Sequence, residues 1–83
     1  VVLNGEKISL TKTEFELLTL LAQNPGSLFS RERIINTIWR ETPYITERTV
    51  DVHIVRLRKK LGAYSDAITS RTGYGYRFNP DGL

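Results

Sequence analysis

The sequence predicts a small α+β domain built in the order hairpin, three helices, hairpin. Three observations carry this. Apolar residues recur at helical spacing in three separate stretches, about residues 11–23, 30–40 and 47–61. Asn4-Gly5 sits between the β-forming Val1-Val2-Leu3 and Lys7-Ile8, a pair suited to a two-residue turn because both central positions need positive φ. Near the other end, "AITSRTGYGYRF" places two short strands around a glycine turn, Thr72 to Gly75. The whole is 83 residues. A chain of this size buries on the order of 60–65% of its unfolded surface, so one core is the limit.

Each helix has a local reason to start and stop. Thr11-Lys12-Thr13-Glu14 follows the capping-box pattern, with Glu three residues after the Thr cap. Phe15, Leu17, Leu18, Leu20, Leu21 and Ala22 then cover most of the circumference, so this helix is expected at the centre of the core. Asn24-Pro25-Gly26 ends it. Ser30 caps the second helix, with Phe29 and Ile34 at hydrophobic-staple spacing. Its buried stripe is Ile34, Ile35, Ile38 and Trp39, ending near Arg40. Residues 41–46, "ETPYIT", connect, since Pro43 is disfavoured inside a helix. The third helix starts near Glu47 and stops at Gly62.

Composition removes several function classes. Without cysteine there is neither a disulfide framework nor a thiolate metal site. No apolar run approaches the 18 or more residues of a membrane span, and no signal peptide is visible. A cytoplasmic setting is expected, with no membrane partner. The first residue is Val1, so the chain reads as a piece of a longer protein. Its charge is uneven: residues 1–47 carry net −1 and residues 48–83 net +4. Such asymmetry suits one face turned to a polyanion, while a net charge of +3 alone is explained as well by ordinary solvated charge.

A catalytic or metal site finds little support. His53 is the one histidine, and metal coordination without cysteine would need carboxylates. Glu14 and Glu16 point different ways on a helix. Glu32 and Glu47 suit the dipoles at two helix starts. Gly73 and Gly75 form a G-x-G inside a hairpin, which is no phosphate loop. No enzymatic activity and no cofactor are expected.

The third helix carries the functional signal. Val50, Ile54, Leu57 and Leu61 form one apolar stripe at about 100° per residue. Opposite them, Arg48, Thr49, Val52, Val55, Arg56 and Lys59 share a face. A helix in the DNA major groove needs cations for phosphates, forked donors for guanine and apolar contact for the thymine methyl, which valine supplies. Packing of Val52 and Val55 against a neighbouring element would explain the same pattern. The basic neighbours and the following hairpin favour DNA. His53, at the flank of the stripe, suits either partial burial or a phosphate bond. Lys60 is expected in solvent.

"TERTVDVHIVRLRKKLG" and "GYGYRF" resemble the output domain of OmpR/PhoB-family two-component response regulators. "LTKTEFELLTLLAQNPGSLFSRERIINTIW" is similar to that family's first two helices, and the resemblance spans about residues 5–79. It implies a winged helix-turn-helix, with the third helix (about 47–61) in the major groove and the C-terminal hairpin (about 68–78) as a wing at the minor groove. Positions matching Asp51, Val52 and Arg56 would be base-edge readers. Those matching Arg48, Thr49, His53, Arg58 and Tyr76 would make backbone or mixed contacts. Residues 40–46 match a loop that touches RNA polymerase in some members. The resemblance further implies sequence-specific transcription regulation, tandem dimers on direct-repeat half-sites, and control by phosphorylation of a preceding receiver domain. The alternative is a winged helix that docks another protein through Val52 and Val55.

Four departures stand out. About ten residues precede the first helix, room for one hairpin where the family has four strands. The receiver domain is absent. Val55 stands where a cation is common. Thr72 occupies the place of the wing arginine, with Arg71 one position earlier. That shift turns the cation to the other face of the hairpin, so a weak wing is expected unless the hairpin is bulged near Gly73.

Overall fold

The computed structural model describes residues 2–3, 5–42, 44–71 and 73–82, with the backbone alone at Val2, Leu3 and Glu6. Two-residue strands β1 (Val2–Leu3) and β2 (Glu6–Lys7) pair antiparallel. The Asn4-Gly5 turn expected between them falls on Asn4, outside the described residues. Helices α1 (Lys12–Ala22), α2 (Arg31–Ile38) and α3 (Glu47–Leu61) follow, then strands β3 (Ile68–Arg71) and β4 (Gly75–Phe78).

Helix α1 opens with the expected capping box. The Thr11 hydroxyl accepts from the Glu14 amide at 3.2 Å, and the Thr11 amide donates to Glu14 Oε1 at 2.9 Å. These bonds satisfy donors that a helix start leaves without intrahelical partners. The buried side of α1 is Glu14, Leu17, Leu18 and Leu21. Phe15, expected in the core, is instead 51% exposed. It lies about 100° around the helix from Glu14, off the side that α2, α3 and β4 cover.

Ser30 caps α2 by accepting from the Arg33 amide at 3.1 Å, and Phe29 and Ile34 on either side of the cap are both buried. The helix ends at Ile38, one turn-closing residue before Trp39, whose amide donates to the Ile35 carbonyl. On α3 the four stripe residues Val50, Ile54, Leu57 and Leu61 are all buried. Gly62 ends the helix at φ +58°, and its amide donates to the Arg58 carbonyl.

Strands β3 and β4 form the C-terminal hairpin, with Ile68 opposite Phe78 and Arg71 opposite Gly75. The other edge of β4 is taken by the segment ahead of α2. Phe29 and Tyr76 exchange backbone bonds of 2.8 and 2.9 Å. Gly75 makes this approach possible. At its φ of +139°, a Cβ would stand 1.9 Å from the Phe29 carbonyl oxygen, so no side chain fits. The hairpin base is thereby fixed to the entrance of α2. Leu17, Leu21, Phe29, Ile34, Val50, Ile54, Leu57 and Ile68 fill the space between helices and hairpin.

Candidate nucleic-acid interface

With its stripe buried, α3 presents its opposite face outward. Arg48, Arg56 and Lys59 are exposed there, and none of their side chains makes a hydrogen bond or ion pair among the described residues. Val52 and Val55 lie between them, 38% and 62% exposed. Neither belongs to the buried core, so the packing that sequence left open for them is not found among the described residues. Thr49, half-buried, sets its hydroxyl 3.4 Å from that of Thr46 at the helix start.

One flank of this face is tied to α2 and β4. Asp51 Oδ1 accepts from Arg31 Nε at 2.7 Å and also from the Tyr76 hydroxyl. The Arg31 guanidinium lies 5.6 Å from the centre of the Tyr76 ring. Partial burial pushes the Asp51 carboxyl up, but the bonds from Arg31 and Tyr76 outweigh it and hold the group below its ordinary range. Burial and the neighbouring carboxylate both raise the Tyr76 phenol. Nearby, Arg58 sends Nε and Nη2 to the Ile68 carbonyl at 2.9 and 2.7 Å, joining α3 to β3. Asp51, Arg58 and Tyr76, which the resemblance set at DNA, thus spend polar atoms inside the domain.

The other flank meets the end of α2 and the first helix. His53 Nδ1 lies 2.8 Å from the Thr49 carbonyl, which can only accept, so this nitrogen carries a proton. Its ring meets Trp39 edge-to-face at 5.0 Å. Lys60 is exposed, as expected, with its side chain 40% accessible, and also donates to Glu14 Oε1 at 2.5 Å. A carboxylate buried on α1 needs a cation, and Lys60 is the one supplied.

At the hairpin tip the Tyr74 amide donates to the Arg71 carbonyl at 2.9 Å, with Gly73 between them at φ +81°. The Arg71 guanidinium lies 5.3 Å from the centre of the exposed Tyr74 ring. Thr72, the other wing residue singled out by sequence, lies outside the described residues.

Among the described residues no group of three His, Cys, Asp or Glu could hold a metal ion, and no helix is long and apolar enough to cross a membrane. An open groove of about 600 Å³ runs between α1 and the end of α2 with the residues that follow it, lined by Phe15, Leu20, Ile38 and Trp39 among others.

Residues 5–78 match the family described as "Transcriptional regulatory protein, C terminal". The chain belongs to this family. It is an OmpR/PhoB-type DNA-binding output domain, a non-enzymatic part of transcription regulators. It is 48% identical over 83 residues to the transcriptional regulatory protein YclJ of Bacillus subtilis (strain 168), covering 98% of this chain and 37% of that protein. Identity to the phosphate regulon regulator PhoB of Escherichia coli (strain K12) is 40% over 81 residues, covering 95% and 35%. The chain therefore spans about a third of the length of these relatives. The solved AdeR DNA-binding domain, in complex with an intercistronic region, superposes with a TM-score of 0.82 at 29% identity, covering 94% of this chain and 82% of that one. In this OmpR/PhoB domain, sequence reasoning missed Arg31 and Trp39 as neighbours of the α3 face and Tyr74 as the partner of Arg71. Only the aromatic character of Tyr74 between two glycines could have drawn notice.

Proposed function

We propose that the domain binds double-stranded DNA sequence-specifically, with α3 in the major groove and the β3–β4 hairpin at the minor groove. The observation that carries this is the set of Arg48, Arg56 and Lys59, whose side chains have no partner among the described residues, around exposed Val52 and Val55. Cations on phosphate would supply most of the affinity, while Arg56 and the valines read base edges. Thr49 and the outward side of His53 contact the backbone. Arg58 and Tyr76 hold the hairpin against α3 while staying at the rim of the interface, and Arg71 and Thr72 lie at the wing.

The reading extends to the whole regulator. In the whole regulator a receiver domain precedes this DNA-binding domain. Two copies bind direct-repeat half-sites in tandem. The connector 40–46, where Tyr44 is 91% exposed, faces RNA polymerase.

Selection of bound sequences from random duplex DNA tests this. The reading expects a repeated consensus whose spacing gives the half-site separation. Retention of all sequences alike would remove the sequence specificity, and retention of none would favour docking of another protein through Val52 and Val55.

A further inference from the structure

Asp51 sits at the edge of the outward face of α3, three residues after Arg48 and four before Val55, so all three are neighbours on the helix surface. Its two carboxylate oxygens are used unequally. Oδ1 takes both intramolecular bonds, from Arg31 and from Tyr76. Oδ2 accepts from no described residue, and the side chain remains 41% exposed. The two anchors come from different elements, α2 and β4, and so remove the rotational freedom that a lone aspartate keeps.

An ionised carboxylate only accepts hydrogen bonds. Set beside phosphates it is repelled, unless a cation stays with it, as Arg31 does here. In the major groove guanine shows two acceptors, thymine an acceptor and a methyl, and adenine an acceptor beside its amine. Cytosine alone shows a donor without an acceptor.

We propose that Arg31 is a specificity-determining positioning residue: with Tyr76 it pins Asp51 Oδ1 so that Oδ2 meets the N4 amine of a cytosine. This deepens the DNA reading above and rests on it. Asp51 touches the base. Arg31 and Tyr76 act through Asp51, and their contribution is the fixed direction of its free oxygen.

The experiment uses four duplexes that differ at one base pair of the selected site, the pair whose preference responds to Asp51→Asn. Binding of wild type, Asp51→Asn, Arg31→Met, Arg31→Lys and Tyr76→Phe is titrated on each and on random DNA, with thermal unfolding confirming that each variant is folded. Asp51→Asn should erase a cytosine preference of roughly tenfold. Arg31→Met should erase most of the same preference, losing clearly more affinity on the cytosine duplex than on the other three or on random DNA, where the lost cation alone is felt. Arg31→Lys, whose ammonium can still donate to Oδ1, should restore part of it, and Tyr76→Phe should fall between. An equal loss on all four duplexes for Arg31→Met would make Arg31 merely structural and overturn the proposal. A selected site in which no position responds to Asp51→Asn would overturn it alone. Failure to select any site would overturn the DNA reading, and this proposal with it.

Discussion

Lys60 on α3 reaches across 2.5 Å to the carboxylate of Glu14 on α1, and Glu14 is only 3% exposed. One residue thus serves two purposes. Its carboxylate completes the cap of α1 through the Thr11 amide, and the same oxygen anchors the helix that carries the outward cationic face. Removing Lys60 would leave a buried charge half-satisfied. Lys60→Met should lower stability by about 1–3 kcal/mol, seen as a lower urea midpoint with unchanged slope. No change would mean that water already replaces the ammonium.

The same pair gives a pH dependence. Burial raises the Glu14 carboxyl, but the bonds from Lys60 and Thr11 outweigh it, so the folded value lies below the ordinary 4.5. The unfolded chain then binds the proton more readily than the folded one. The stabilisation is complete above the unfolded value and is lost as pH falls through the folded value. Asp51 is lowered too and acts in the same sense. Urea midpoints measured from pH 7 down to about pH 3 should fall steeply for wild type and less for Glu14→Gln. Equal slopes would remove Glu14 as a source.

Arg56 is the base reader expected to matter most. A forked arginine on guanine contributes about 1–3 kcal/mol of discrimination. Arg56→Ala should weaken the preferred site by that much and random DNA far less. Equal losses would place Arg56 on phosphate.

Val52 and Val55 make a separate prediction. At 38% and 62% exposure, truncation to alanine should move stability by less than about 0.5 kcal/mol. If a valine touches a thymine methyl, replacing that thymine with uracil should weaken wild type and leave the alanine variant nearly unaffected. Unfolding of either variant by about 1–3 kcal/mol would make these residues part of the core.

At the wing, the Arg71 guanidinium is engaged with the Tyr74 ring. Such a contact is worth about 0.5–1 kcal/mol at exposed sites, which reaching for DNA would forfeit. Arg71→Ala should therefore change affinity little, and Thr72→Arg should raise it, most on A·T-flanked sites where a narrow minor groove attracts cations. A marked, flank-dependent loss for Arg71→Ala with no gain for Thr72→Arg would reverse this.

What sequence revealed follows from how far each signal reaches. The Thr11 and Ser30 caps were legible because their bonds span three residues. The α3 stripe was legible because one side of that helix is apolar at a constant period. On α1, apolar residues surround the helix, so periodicity could not choose a side, and Phe15 was set in the core while Glu14 was not. The polar ties were illegible for another reason. Arg31 and Asp51 are 20 residues apart, Asp51 and Tyr76 are 25, and Glu14 and Lys60 are 46. Pairs at such separations leave no periodic trace and appear only once the helices pack.

The central claim is that the outward face of α3 meets a polyanion, and the salt dependence of binding tests it most directly. Each phosphate neutralised steepens the plot of log affinity against log salt concentration by about 0.9. With Arg48 and Lys59 available to phosphates, the account predicts a negative slope on the selected duplex, and a slope shallower by about one unit for Lys59→Ala. Binding that barely responds to salt, in wild type and variant alike, would contradict it.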